Sequence, residues 1–117
     1  MKNVTIYHNP RCSKSRETLA LLEQHGVTPD VVLYLETPPS VDQLKKLLKE
    51  LGFSSARELM RKKEDLYKAL KLADESLSEA QLLQAMVDNP KLIERPIVVK
   101  DTQARIGRPP EQVLEIL

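Results

Sequence analysis

The chain has 117 residues, 41% of them hydrophobic and 30% charged, which is enough for one domain with its own core and too little for two. Lys and Arg number 18 against 17 for Asp and Glu, so the net charge of +1 supplies no global field to steer the protein toward nucleic acid or an anionic membrane. There is one cysteine, Cys12, which forbids an internal disulfide and a four-thiolate metal site; if it does redox chemistry, the resolving thiol comes from another molecule. No run approaches the ~20 apolar residues of a membrane span. The opening Met1-Lys2-Asn3-Val4-Thr5-Ile6-Tyr7-His8 lacks the apolar core of a signal peptide, and a cytoplasmic location is expected.

Val4 and Ile6 alternate with Thr5 and Tyr7, which predicts a strand that His8-Asn9-Pro10-Arg11 breaks. A helix is expected from about Cys12 to His25, with Leu19, Leu21 and Leu22 on its buried side and Gly26 at its C-cap. Val31-Val32-Leu33-Tyr34-Leu35 is a continuous apolar run of strand length, as in a strand covered on both faces. From Thr37-Pro38-Pro39 onward the period becomes helical. Capping-box pairs at Ser40 and Gln43, Ser55 and Glu58, and Ser78 and Gln81 mark helix starts. Leu44, Leu47, Leu48 and Leu51 form one apolar stripe, and Leu82, Leu83 and Met86 another. Ile97-Val98-Val99, a turn at Asp101-Thr102-Gln103 and Ala104-Arg105-Ile106 predict a hairpin. Pro110 and Glu111 then open a last helix carrying Val113, Leu114 and Leu117. The order is βα, β, a helical segment, ββ, α.

Cys12 falls at a strand-to-helix junction, where free N–H groups and the positive end of the helix dipole stabilise a thiolate. Such a position lowers a thiol's pKa below its usual ~8.5, and Arg11, Lys14, Arg16 and His8 lie close by in sequence. The same loop is an anion site in outline. Ser13, Ser15 and Arg16 could add donors to it, or the serines could cap the helix while Arg16 stays solvated. Arg95 and Arg108 each precede a proline at the two ends of the hairpin, and Arg is suited to bidentate binding of a tetrahedral oxyanion. Arg61, beside Lys62 and Lys63, reads either as a further anion ligand or as part of a basic helix face. His8 reads as an electrostatic partner of the thiolate, a general base or a structural histidine. His8, His25 and Cys12 show no metal-ligand spacing, and no metal is expected. Nor does the loop match that of tyrosine phosphatases, where Arg follows Cys after five residues; here Arg16 follows Cys12 after three.

Taken together, His8-Asn9-Pro10-x-Cys12-x-x-Ser15-Arg16, Leu33-Tyr34-Leu35-Glu36-Thr37-Pro38-Pro39, Arg95-Pro96-Ile97-Val98-Val99 and Arg108-Pro109 strongly resemble the glutaredoxin-dependent arsenate reductase family. The resemblance covers essentially the whole chain. It implies a single α/β domain over residues 1–117 of thioredoxin-like fold: a four-stranded mixed sheet with flanking helices, an all-helical insertion at about 38–94, and a cis Pro96 beside the active-site cysteine. It further implies that Cys12 is the nucleophile, that His8 favours its thiolate, and that Arg61, Arg95 and Arg108 bind arsenate, with Asn9 a structural residue of the site. Glutathione would be a co-substrate rather than a bound cofactor, and glutaredoxin the protein partner.

Two other readings use the same residues. One is a monothiol, glutathione-linked oxidoreductase, which would have no need of Arg61, Arg95 and Arg108. The other is a fold-related regulatory binding protein without arsenate activity. In the regulators that this chain resembles, a two-cysteine switch occupies the active loop, and Ser15 here stands where the second cysteine would be.

Overall fold

The computed structural model describes residues 4–117; Met1, Lys2 and Asn3, which begin the segment expected to carry no signal peptide, lie outside them. The chain divides into two compact units, Met1–Thr37 with Arg95–Leu117, and Pro38–Glu94. The first is built on a four-stranded mixed sheet. Its strands are β1 (Val4–Tyr7), β2 (Asp30–Val32), β3 (Ile97–Lys100) and β4 (Gln103–Ile106), in the order β2-β1-β3-β4. β2 runs parallel to β1, whereas β3 is antiparallel to both β1 and β4. This is the α/β architecture expected, with helix α1 (Ser13–Gln24) linking the parallel pair.

The alternation read in β1 holds: Val4 and Ile6 are fully buried while Thr5 and Tyr7 are half-buried. Val4 and Ile6 join Leu22, Val27, Val98, Val113 and Ile116 in one apolar cluster, each large side chain worth roughly 2 kcal/mol of burial. Leu19 and Leu21 only flank it, because the buried face of α1 is Ser15, Thr18 and Leu22. The hairpin forms through a two-residue turn at Asp101-Thr102, with Asp101 in the left-handed region at φ 56°.

Two elements depart from expectation. The apolar run Val31–Leu35 is not a strand covered on both faces. β2 ends at Val32 and occupies a sheet edge, where Val31 is 47% exposed, and Tyr34 is buried from within the following turn. The last helix is a 3₁₀ segment, Pro110–Ile116. Three residues per turn align Pro110, Val113 and Ile116 on one buried face, so Leu114 does not belong to it.

The second unit is helical. α2 (Val41–Leu51) starts at the Ser40–Gln43 capping box and ends at Gly52, whose φ of 77° favours glycine. A 3₁₀ turn (Ala56–Leu59) and α3 (Asp65–Ala69) follow, then α4 (Glu79–Asp88), opened by the Ser78–Gln81 box. Leu44, Leu47, Leu59, Leu82, Leu83, Met86 and Leu92 are buried within it. Met60 and Ile93 form an isolated antiparallel bridge. No described helix is long and apolar enough to cross a membrane.

Candidate active site

Strand register brings three segments to one end of the sheet. β1 ends at Tyr7, which pairs with Ile97, the first residue of β3; Ile97 in turn pairs with Ile106, the last residue of β4. The loop after Tyr7, the Arg95-Pro96 segment before Ile97 and the Gly107-Arg108 segment after Ile106 therefore emerge together. The Arg95-Pro96 and Arg108-Pro109 bonds are both cis.

Asn9 shapes the first loop. Its side-chain Oδ1 accepts the Arg11 N–H at 3.0 Å, and its carbonyl accepts the Cys12 N–H at 3.0 Å. This turn delivers Cys12 to the N-cap of α1 in an extended conformation, φ −94° and ψ 124°. The sulfur is half-buried, and Nη2 of Arg108 donates to it at 3.7 Å. Arg108 is steadied by a second bond, Nε to the Arg95 carbonyl at 2.9 Å. Partial burial pushes the thiol's pKa up. The Ser15 N–H, the Arg95 charge, the Lys14 N–H and the Arg108 charge more than offset this, and the net result lies below the ordinary thiol value. The surroundings of Cys12 thus favour its thiolate form.

The cations nearest in sequence behave differently. Arg16 is exposed and turns back to donate to the Pro10 carbonyl at 2.9 Å, and Lys14 pairs through its side chain with Glu17 at 3.4 Å. The charges that favour the thiolate are those of Arg95 and Arg108, more than eighty residues away along the chain. Ser15 corrects another expectation. Its hydroxyl is fully buried, pairs with Nδ1 of His8 at 2.7 Å and accepts the Asn9 N–H at 3.0 Å, so it is not a donor to an anion in the loop. What Ser15 offers outward is its backbone N–H.

His8 is buried, and its backbone N–H donates to the Val32 carbonyl at 2.8 Å. Burial, reinforced by the Arg16 charge, lowers its pKa from the usual 6.5, so the imidazole is neutral at pH 7. The unfolded chain therefore binds the proton first as pH falls through 6.5. The stability that His8 contributes is present above that value and lost on acidification. Urea midpoints measured from pH 7.5 to pH 5 are expected to fall for the wild type and to fall less for His8→Asn; parallel curves would refute this.

Arg61 belongs to the unit Pro38–Glu94. Its N–H donates to the Leu92 carbonyl at 2.7 Å, and its guanidinium pairs with Glu64 at 3.5 Å. Among the described residues no cluster of His, Cys, Asp or Glu is grouped to hold a metal ion. Thr18, buried beside Ser15 on the same helix face, is a site neighbour that sequence reasoning missed; the i, i+3 spacing from Ser15 is the signal that would have found it.

A half-buried cysteine whose thiolate is favoured by two guanidiniums and two backbone amides is suited to attack a tetrahedral oxyanion while those groups hold its oxygens. The chain is similar over nearly its whole length to known proteins. A family model described as the ArsC family matches residues 7–116. The chain is 73% identical over 116 residues to an Escherichia coli K12 protein named uncharacterized protein YfgD, covering 99% of this chain and 98% of that one. It is 54% identical over 115 residues to a Haemophilus influenzae protein named arsenate reductase, covering 98% and 99%. The solved structure of arsenate reductase from Vibrio cholerae superposes with a TM-score of 0.98 at 63% identity, over 100% of this chain and 98% of that one.

Proposed function

The chain belongs to the ArsC family, and on that premise we propose that it is a cytoplasmic arsenate reductase working through a covalent arseno-cysteine on Cys12, with glutathione and glutaredoxin as thiol donors. The observation that carries the reading is the Cys12 sulfur at the start of α1, with Arg108 donating to it and the Arg95 charge beside it. The relatives named arsenate reductase support it at 54% and 49% identity.

In this mechanism the Cys12 thiolate attacks pentavalent arsenic and one oxygen leaves as water. Arg95, Arg108 and the Ser15 and Lys14 N–H groups hold the remaining oxygens. Glutathione then displaces a second oxygen as water, giving arsenic bonded to both sulfurs. A glutaredoxin thiolate attacks the glutathione sulfur, and the arsenic–sulfur electron pair returns to arsenic. The arsenic falls to the trivalent state, and the two donor thiols leave as a mixed disulfide. Water releases arsenite and restores Cys12. With a single cysteine in the chain, both reducing thiols come from outside.

Arsenate-dependent NADPH oxidation, coupled through glutathione reductase, tests the scheme. Turnover is expected only when glutathione and glutaredoxin are both present. Undiminished turnover with glutathione alone would remove glutaredoxin from the scheme, and a chain inactive on arsenate but still carrying a reactive Cys12 would favour the monothiol oxidoreductase.

A further inference from the structure

Gly107 is buried at the end of β4, one residue before Arg108. It is a glycine for reasons of space, since a Cβ there would overlap Oγ1 of Thr18 and stand 2.9 Å from Cγ of Pro96 and 3.0 Å from Cγ2 of Thr18. Thr18 has little room to retreat: it is fully buried, and its hydroxyl donates to the Lys14 carbonyl at 2.8 Å. Pro96 is tied to the same point, because its carbonyl accepts the Gly107 N–H at 2.9 Å. Three segments thus meet at a residue with no side chain: helix α1, the Arg95-Pro96 segment and the end of β4.

The next residue carries the guanidinium that reaches the site. Nε of Arg108 lies 2.9 Å from the Arg95 carbonyl and Nη2 lies 3.7 Å from Sγ of Cys12, so a small displacement of the Gly107 backbone would move both bonds. We propose that Gly107 is a positioning residue: its missing side chain lets the end of β4 seat against Thr18 and Pro96, and that seating sets the Arg108 guanidinium on the Cys12 sulfur. As a role in catalysis this rests on the arsenate reductase reading. As a contact it can be measured on the thiol with no arsenate present, so the two can fail separately.

The experiment is iodoacetamide alkylation of Cys12 as a function of pH in the full chain. Gly107→Ala is expected to move the midpoint upward, the effect of withdrawing a cation from a thiolate, and to slow alkylation at pH 7 roughly threefold, since the greater nucleophilicity of the remaining thiolate offsets part of its loss. Arg108→Ala should do the same, and adding Gly107→Ala to it should change nothing further. Thr18→Ala, which opens part of the space, should alkylate like the wild type and should return Gly107→Ala part of the way to wild-type behaviour, the 2.9 Å approach to Pro96 remaining. A folded Gly107→Ala with an unchanged profile would overturn the proposal, as would an equal further shift in the Arg108→Ala background. Should Gly107→Ala fail to fold alone, the double variant with Thr18→Ala decides. Folded with alkylation faster than that of Arg108→Ala it supports the proposal; unfolded, or folded and as slow as Arg108→Ala, it overturns it.

Discussion

Cys12→Ser is expected to lower arsenate turnover at least about a thousandfold, to the background of the coupled assay, while leaving the protein folded. A hydroxyl in this position remains protonated, whereas the site lowers the pKa of the Cys12 thiol, and no other cysteine can replace it. Loss of fold is not a competing explanation. Residue 12 is the N-cap of α1, and serine is among the preferred N-cap residues, so thermal unfolding should occur at the wild-type temperature or slightly above. Circular dichroism melts beside the NADPH assay separate the two effects. Substantial turnover in a folded Cys12→Ser protein would remove the covalent mechanism altogether.

That the candidate nucleophile can be read from a local pattern, while Arg95 and Arg108 can be named but not placed against it, follows from how each is encoded. A cysteine between a broken strand and an amphipathic helix is a local pattern, and so are the three capping boxes; all of these form as written. The hairpin is equally local. Only Val31 and Val32 of the run Val31–Leu35 join a strand, and it is an edge strand, because apolar composition does not distinguish a central strand from an edge. Val31 stays exposed on β2, while Tyr34 finds its burial from a turn. In the final seven-residue segment, periods of three and of about four are nearly indistinguishable by hydrophobicity alone. Pro110, Val113 and Ile116 settle on three.

The site shows the same division. Arg16 is four residues from Cys12 and was a natural candidate for its counter-charge, yet its guanidinium folds back to the Pro10 carbonyl. Arg95 and Arg108 are distant in sequence, and only the register of β1 on β3 and of β3 on β4 brings them to the sulfur. Ser15 looked like an anion donor because it is polar and near the cysteine. Its buried hydroxyl is instead paired with His8, a partner that the strand-to-helix turn supplies in three dimensions. Side-chain direction, unlike element type, is set by tertiary neighbours.

Arg95 provides the sharpest separation between an arsenate reductase and a simple thiol exchanger. Arg95→Ala is expected to cut arsenate turnover by about 10²–10³-fold, the usual cost of removing a preorganised donor from developing oxyanion charge. It also withdraws a charge that favours the Cys12 thiolate, so the thiol's pKa rises. Disulfide exchange should nevertheless change little near neutral pH, because a higher pKa reduces the thiolate fraction while increasing the nucleophilicity of what remains. Arg95→Lys divides the role further. It keeps a positive charge and should restore most of the alkylation profile, but a point charge cannot reproduce the planar, two-pronged hold on neighbouring oxygens, and arsenate turnover should stay low. Measured side by side on arsenate and on a glutathione mixed disulfide, a large loss confined to arsenate supports oxyanion binding by Arg95. Equal losses on both substrates would mean that Arg95 serves only the thiolate, and the monothiol oxidoreductase reading would then displace the arsenate reductase.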